Sequence, residues 1–281
     1  MKIGRTAALL LPAVLTFVLL LAAPLLLVAN DSVRLFEPGR VGAANNAPLT
    51  WQNYADLLSP AYLRYFADTF RIGLIASVVA LVIAYPIAYR ISHAQRRYVR
   101  RNWLILLVTM LFLSILVRVY SVDLAFGPAG FGRQLSRFLG VSMSSEFYIE
   151  FTIIVALLHC LIPIAGLSMV APLQALNPRL VEAAQTLGAV AWKAHATVTL
   201  PLSARALLAA FMLCFTFCLS AFVIPMVLGK GKVLFVSNLI YSRFGEIGDY
   251  PSGAALSLVL LFLSLGIVYA ITAVTHRRWG R

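Results

Sequence analysis

Charged residues are scarce in this sequence. They fill 12% of its 281 positions, whereas apolar residues fill 61%. A soluble domain carries about 25% charged and roughly 45–50% apolar residues. So large an apolar excess cannot be hidden in one water-soluble core, which argues against a soluble domain.

Residues that carry chemistry are also few. The three cysteines, Cys160, Cys214 and Cys218, lie in apolar runs at spacings that match no zinc pattern, which predicts small buried side chains. There is no complete phosphate-binding glycine loop, no Gly-x-Ser-x-Gly elbow and no metal-ligand spacing. We therefore predict no catalytic residue, no metal site and no bound cofactor in this chain, and no ATPase activity of its own.

Long apolar runs dominate the remaining sequence. A membrane-spanning helix needs about 20 apolar residues, which predicts an all-α membrane protein with six transmembrane helices. We expect an N-terminal anchor helix and outer segment over 1–65, and a transmembrane core over 66–281. The six runs are 7–29, 69–91, 103–120, 151–173, 204–228 and 253–275.

The net charge of +13 is distributed unevenly between the two sides that six spans define. The N-terminus, 90–102, 174–205 and the C-terminus together hold thirteen basic residues and one acid, Glu182. The opposite side holds ten basic residues and nine acids. Basic loops face the cytoplasm, so we predict that both termini are cytoplasmic, and no nucleic-acid partner is needed to explain the charge.

Few ionisable groups or helix breakers interrupt the runs. Arg118 lies near the outer end of the third run, from where its side chain could snorkel to the membrane interface. His159 is well inside the fourth run, where an ionisable group is either part of a functional pathway or hydrogen-bonded to a neighbouring helix. Pro86, Pro163 and Pro225 predict kinked helices.

The segment 174–203 lies on the predicted cytoplasmic side. Asn177 and Pro178 suit a helix start, Gly188 permits a sharp change of direction, and Pro201 precedes the fifth run. Many of the segment's apolar residues are alanines, which bury little area on lipid but pack closely into a protein groove. They form a stripe at helical spacing: Leu187, Val190, Ala191, Ala194 and Val198.

One spacing in this segment is specific. Glu182, Ala183 and Ala184 are followed by Gly188, and then by Val198, Leu200 and Pro201. This pattern resembles the signature of ABC importer permeases, although isoleucine is common where Val198 stands. The resemblance implies a type I ABC importer permease fold, in which the segment 174–203, named the coupling segment, docks into a groove of the ATPase subunit. It also implies that Glu182 contacts a basic residue there and that Gly188 allows the bend between two coupling helices.

The likeness extends along most of the chain and is greatest to permeases of the spermidine/putrescine type. It implies an inner-membrane subunit that moves a polyamine or related organic cation, delivered by a periplasmic binding protein. The implied partners are two ATPase subunits that hold ATP and Mg²⁺, a second homologous permease and membrane lipid. The matching stretches are 84–86, 116–120, 238–240, 249–251 and 253–255.

The sequence differs from polyamine permeases at some positions in or beside these stretches. Ser237, Tyr250 and Ser252 depart from that pattern, so another small solute stays open, such as an amino-acid derivative, an opine or an anion. A secondary transporter is a further alternative, although it would need coupling-ion sites. A polyamine path needs acids and aromatic rings for charge pairing and cation–π contact. Six residues are candidates for such a path: Asp123, Asp249, Tyr250, Phe215, Phe217 and Phe222.

Overall fold

A computed structural model describes residues 3–38, 47–177 and 179–279. Within these ranges the chain is helical, with one isolated antiparallel bridge between Arg34 and Leu49. A π-helical turn, His195–Thr199, lies between α9 and α10, and another, Ser242–Ile247, follows α13. The α-helices are α1 (Ile3–Ser32), α2 (Gln52–Asp56), α3 (Pro60–Ser92), α4 (Arg97–Phe112), α5 (Ile115–Phe126), α6 (Gly132–Leu139), α7 (Glu146–Gln174), α8 (Arg179–Thr186), α9 (Ala191–Ala194), α10 (Leu200–Leu202), α11 (Ala204–Ser220), α12 (Val223–Leu228), α13 (Val236–Tyr241) and α14 (Tyr250–Trp279).

The described helices include four that are long and apolar enough to cross a membrane: Val14–Ser32, Pro60–Ser92, Glu146–Gln174 and Tyr250–Ala273. Two bent helix pairs also qualify, which gives up to six spans if each pair is one span. The predicted all-α membrane fold is therefore confirmed, with the third and fifth apolar runs broken rather than straight.

The third predicted span breaks between α4 and α5, which meet at 93°. Neither proline nor glycine marks the break in the sequence. Arg118 accounts for it, since this α5 side chain donates hydrogen bonds to the carbonyl oxygens of Met110 and Leu111 at the end of α4. Carbonyls at a helix end lack intrahelical donors. Arg118 is only 6% exposed, so the expectation that it snorkels to the interface was wrong.

The fifth predicted span also differs from the structure. Its helix α11 ends at Ser220, the chain leaves the helical conformation at Ala221, and the short helix α12 follows. Pro225 stands in the first turn of α12, where a missing backbone N–H costs little. Pro86 and Pro163, by contrast, lie inside the continuous helices α3 and α7.

The chain divides into two compact units, and the larger contains Ala67–Ser237 with Ile267–Arg281. Its central helix is α7, which is buried on several faces and packs against α4, α5, α11 and α12. Gly73 lets α3 approach α11 closely, because a Cβ there would lie 3.2 Å from the Cβ of Cys218. All three cysteines are free and buried, as predicted.

The smaller unit contains the segment up to Phe66 together with Asn238–Gly266. Asn53 ties the chain after α1 by donating to the carbonyl oxygens of Ser32 and Arg34, at 2.8 and 2.9 Å. The Ser32 hydroxyl lies 2.8 Å from that of Tyr54. Small residues fill much of the buried start of α14, and Gly253 packs against the ring of Phe244.

Candidate functional site

The first limb of the coupling segment is α8, whose two ends explain the motif spacing. Asn177 Oδ1 accepts from the Arg179 N–H at 3.1 Å, as predicted for a helix cap, whereas Pro178 lies outside the described residues. At the other end, the N–H of Gly188 bonds to the Gln185 carbonyl and that of Ala189 to the Ala184 carbonyl, at 2.9 and 3.1 Å. Gly188 has φ of +90°, which glycine adopts without steric cost.

The second limb runs through α9, the π-helical turn His195–Thr199 and α10, and then bends by 73° into α11. Pro201 occupies the first turn of α10, at the approach to this bend. The predicted apolar stripe is divided: Ala194 is fully buried, whereas Leu187 and Val190 are exposed. Helical spacing does not continue across Gly188, because the chain changes direction there.

An exposed apolar tip results at the turn between the limbs, formed by Leu187, Val190 and Trp192. Their exposed fractions are 89%, 61% and 71%. Glu182 is exposed on α8. Exposed apolar groups on a segment that also exposes a charge are typical of a surface that binds another protein.

The inner side of the coupling segment rests on the end of α3. The His195 ring meets the Tyr89 ring edge-on at a centroid distance of 4.6 Å, and Tyr89 stacks on His93 at 4.2 Å. Val198 and Thr199 line, with Tyr89 and His93, a cavity of only about 10 Å³. Sequence reasoning missed this anchor because its two halves are far apart in the chain and carry no motif.

Among the predicted pathway acids, Asp249 is already engaged. It is 8% exposed, its Oδ1 accepts from the Ser252 N–H at 3.1 Å, and its Oδ2 pairs with Arg243 at 3.3 Å. Arg243 also donates to the Tyr62 hydroxyl. Asp249 thus caps α14 and is neutralised, while Asp123 is half-buried on α5.

The predicted aromatic residues belong to both compact units. Phe215 is buried on α11, with ring centroids of Phe211 and Phe70 at 5.6 and 6.2 Å. Phe217 and Phe222 are half-buried near the end of that helix. Tyr250, in the smaller unit, packs edge-on against Phe244 at 5.5 Å.

His159 is half-buried on α7 and interacts electrostatically with Arg118. Its Nδ1 atom is buried and has no hydrogen-bond partner within the described part of the chain. Lys232 donates to the Ser144 carbonyl at 2.7 Å.

Comparison with known proteins gives consistent matches. Residues 103–279 match the family "Binding-protein-dependent transport system inner membrane component". The spermidine/putrescine transport system permease protein PotB of Haemophilus influenzae is 29% identical over 237 residues, 82% of each chain. The sulfate transport system permease protein CysT of Escherichia coli is 32% identical over 140 residues, 46% of this chain and 47% of that protein.

The fold has a solved counterpart. A crystal structure of a bacterial ABC transporter involved in the import of the acidic polysaccharide alginate contains a chain that aligns with a TM-score of 0.75. The alignment covers 99% of both chains at 15% identity. At that identity the likeness concerns the fold alone.

These features define a helical permease that spans the membrane several times. The family match extends from α4 to the end of α14 and includes the whole coupling segment. The chain belongs to the binding-protein-dependent transport system inner membrane component family and is a permease subunit of an ABC importer in the inner membrane.

Proposed function

We propose that this subunit couples ATP hydrolysis on partner ATPase subunits to the import of a polyamine. The observation that carries the coupling role is the exposed apolar tip, Leu187, Val190 and Trp192, on a segment that also exposes Glu182 and is anchored to α3. An apolar tip seats in a complementary groove, and the lone acid pairs with a cationic side chain of the partner.

The anchor explains how motion would reach the bundle. When ATP closes the ATPase dimer, a seated tip is displaced, and the His195–Tyr89 contact passes that displacement to the end of α3. Coupling requires that ATP and the loaded binding protein stabilise the same bundle state. The full assembly in this proposal has two ATPase subunits, a second homologous permease and a periplasmic binding protein, with both termini of this chain cytoplasmic.

The proposed solute rests on the PotB relatives, which match most of the chain. Spermidine and putrescine are cations at neutral pH, so their path needs acidic groups that retain free charge. Asp123 suits that requirement, because its carboxylate has no ion-pair partner among residues 3–38, 47–177 and 179–279. Asp249 suits it poorly, because Arg243 already neutralises it.

An anionic solute is the second candidate, favoured by one observation. Arg118 and His159 place a buried cation beside an unpartnered imidazole nitrogen, and the CysT relative is a sulfate permease by name. Competition uptake assays with putrescine, spermidine and sulfate distinguish the two solutes.

Glu182→Lys tests the coupling role. The complete importer is reconstituted in proteoliposomes with its ATPase and binding protein, and both ATP hydrolysis and uptake are measured. We expect assembled complex with uptake reduced at least tenfold, because a cation now faces the partner's cation. Glu246→Lys, the same charge change on an exposed residue of the smaller unit, is the control. Normal uptake by Glu182→Lys would refute the coupling role.

A further inference from the structure

The start of α4 carries an unusual stripe of side chains. Arg97, Arg100 and Arg101 are spaced so that they lie on one helix face, and all three are exposed. Leu104, Ile105 and Val108 continue the same face toward the middle of the helix. With Tyr98 and Thr109, these residues line one open groove.

The arginines of this stripe are uncompensated. No acidic residue occurs anywhere between Asp68 and Asp123 in the sequence. None of the three arginines forms an ion pair within the part of the chain that the structure describes. The neighbouring Arg96 differs, since it donates to the Tyr98 hydroxyl at 2.8 Å. The stripe therefore presents three guanidinium groups that are free to pair with an external anion.

The depth of the stripe in the membrane follows from its aromatic residues. Tyr98 and Trp103 are 51% and 37% exposed, and such residues concentrate at the level of lipid headgroups. Along an α-helix, the eleven steps from Arg97 to Val108 rise about 16 Å, roughly half of a hydrocarbon core about 30 Å thick. The arginines thus lie at the interface and the aliphatic residues below it.

A water-soluble partner could meet the arginines but not the aliphatic half of the stripe. A phospholipid matches both, because its phosphate pairs with guanidinium groups and its acyl chain lies along Leu104, Ile105 and Val108. We propose that this face of α4 is a binding site for an anionic phospholipid. The site is independent of the transported solute.

The test compares two matched double variants in the complete importer complex. Arg97→Gln/Arg101→Gln removes an exposed i, i+4 arginine pair from the stripe, and Arg133→Gln/Arg137→Gln removes such a pair from α6. Each complex is delipidated in detergent and titrated with dioleoyl-phosphatidylglycerol or dioleoyl-phosphatidylcholine, and bound lipid is counted by native mass spectrometry.

We expect phosphatidylglycerol to bind more tightly than phosphatidylcholine. The α4 variant should weaken phosphatidylglycerol binding about tenfold to thirtyfold, because each arginine near the interface contributes to the attraction, and the α6 variant should leave it unchanged. Soluble glycerol 3-phosphate should compete poorly, since it lacks the acyl chains.

Three results would overturn the site. The two lipids could bind equally, which would show that headgroup charge is not recognised. The two double variants could weaken binding equally, which would indicate unspecific charge attraction. The α4 variant could instead lose its ATPase subunits with lipid binding unchanged, which would make the stripe a protein interface.

Discussion

Replacing Gly188 by alanine isolates the backbone geometry of the coupling segment. Gly188 has φ of +90°, and a Cβ built there meets no atom within 4 Å. The cost of the substitution is therefore conformational and not steric. A non-glycine residue in left-handed conformation costs about 1–2 kcal/mol, which is roughly a fivefold to thirtyfold shift in the population of this turn.

The chain contains a matched control at Gly140. This residue ends α6 with φ of +65°, and a Cβ there also meets nothing within 4 Å. Its N–H bonds to the Arg137 carbonyl and that of Val141 to the Ser136 carbonyl, the same pair of hydrogen bonds that Gly188 and Ala189 make. Gly140→Ala thus imposes a similar local penalty outside the coupling segment.

The assay measures ATP hydrolysis and solute uptake by the reconstituted importer. We expect Gly188→Ala to lower solute imported per ATP hydrolysed by about fivefold or more, because the exposed tip no longer meets its groove in the same orientation. Gly188→Asn should be milder, since asparagine tolerates positive φ. Gly140→Ala should couple normally. If both alanine variants behaved alike, or Gly188→Ala coupled as the wild type does, the reasoning would be refuted.

Two further predictions concern buried charges. Arg118→Met should destabilise the purified complex by about 2–5 kcal/mol, because the carbonyls of Met110 and Leu111 lose their donor. Thermal unfolding in detergent checks this, with Val117→Met at an exposed position as the control. An unchanged or raised unfolding midpoint for Arg118→Met would contradict the prediction. Asp123→Asn should reduce polyamine uptake per assembled complex severalfold with unfolding unchanged. Asp249→Asn should lower stability and leave uptake per assembled complex unchanged, because the loss of its ion pair with Arg243 costs about 1–3 kcal/mol. An equal fall in uptake in both variants would argue against assigning a transport role to Asp123 and a structural role to Asp249.

Much of the fold could be predicted because the bilayer imposes length and polarity on each span. The all-α class and four single spans follow from apolar run length alone, as does the burial of the cysteines. The break after Phe112 could not be predicted, because the residues around it are as apolar as a continuous helix requires. The donor that stabilises it, Arg118, is on the next helix, and its depth depends on tertiary packing.

The coupling segment shows a similar division between local and distant information. Asn177 and Gly188 define the two ends of α8 through hydrogen bonds to neighbours a few residues away, so their roles could be predicted from the sequence. The division of the apolar stripe could not be predicted, because counting helical spacing across Gly188 assumes one continuous helix, whereas α8 ends at Thr186. The contact of His195 with Tyr89 depends on how the segment folds back on α3.

The structure also separates two uses of acidic residues that look alike in the sequence. Asp249 follows Gly248, which has positive φ, and precedes a long helix, so its carboxylate caps that helix and pairs with an arginine six residues earlier. Asp123 lies inside α5, after the break between α4 and α5, where, within the described part of the chain, it neither caps a helix nor pairs with an arginine. A carboxylate held half-buried without a partner costs stability, and such a cost is kept where a cationic ligand offsets it. The distinction between these two residues follows from backbone context, and it makes Asp123 the better test of the polyamine proposal.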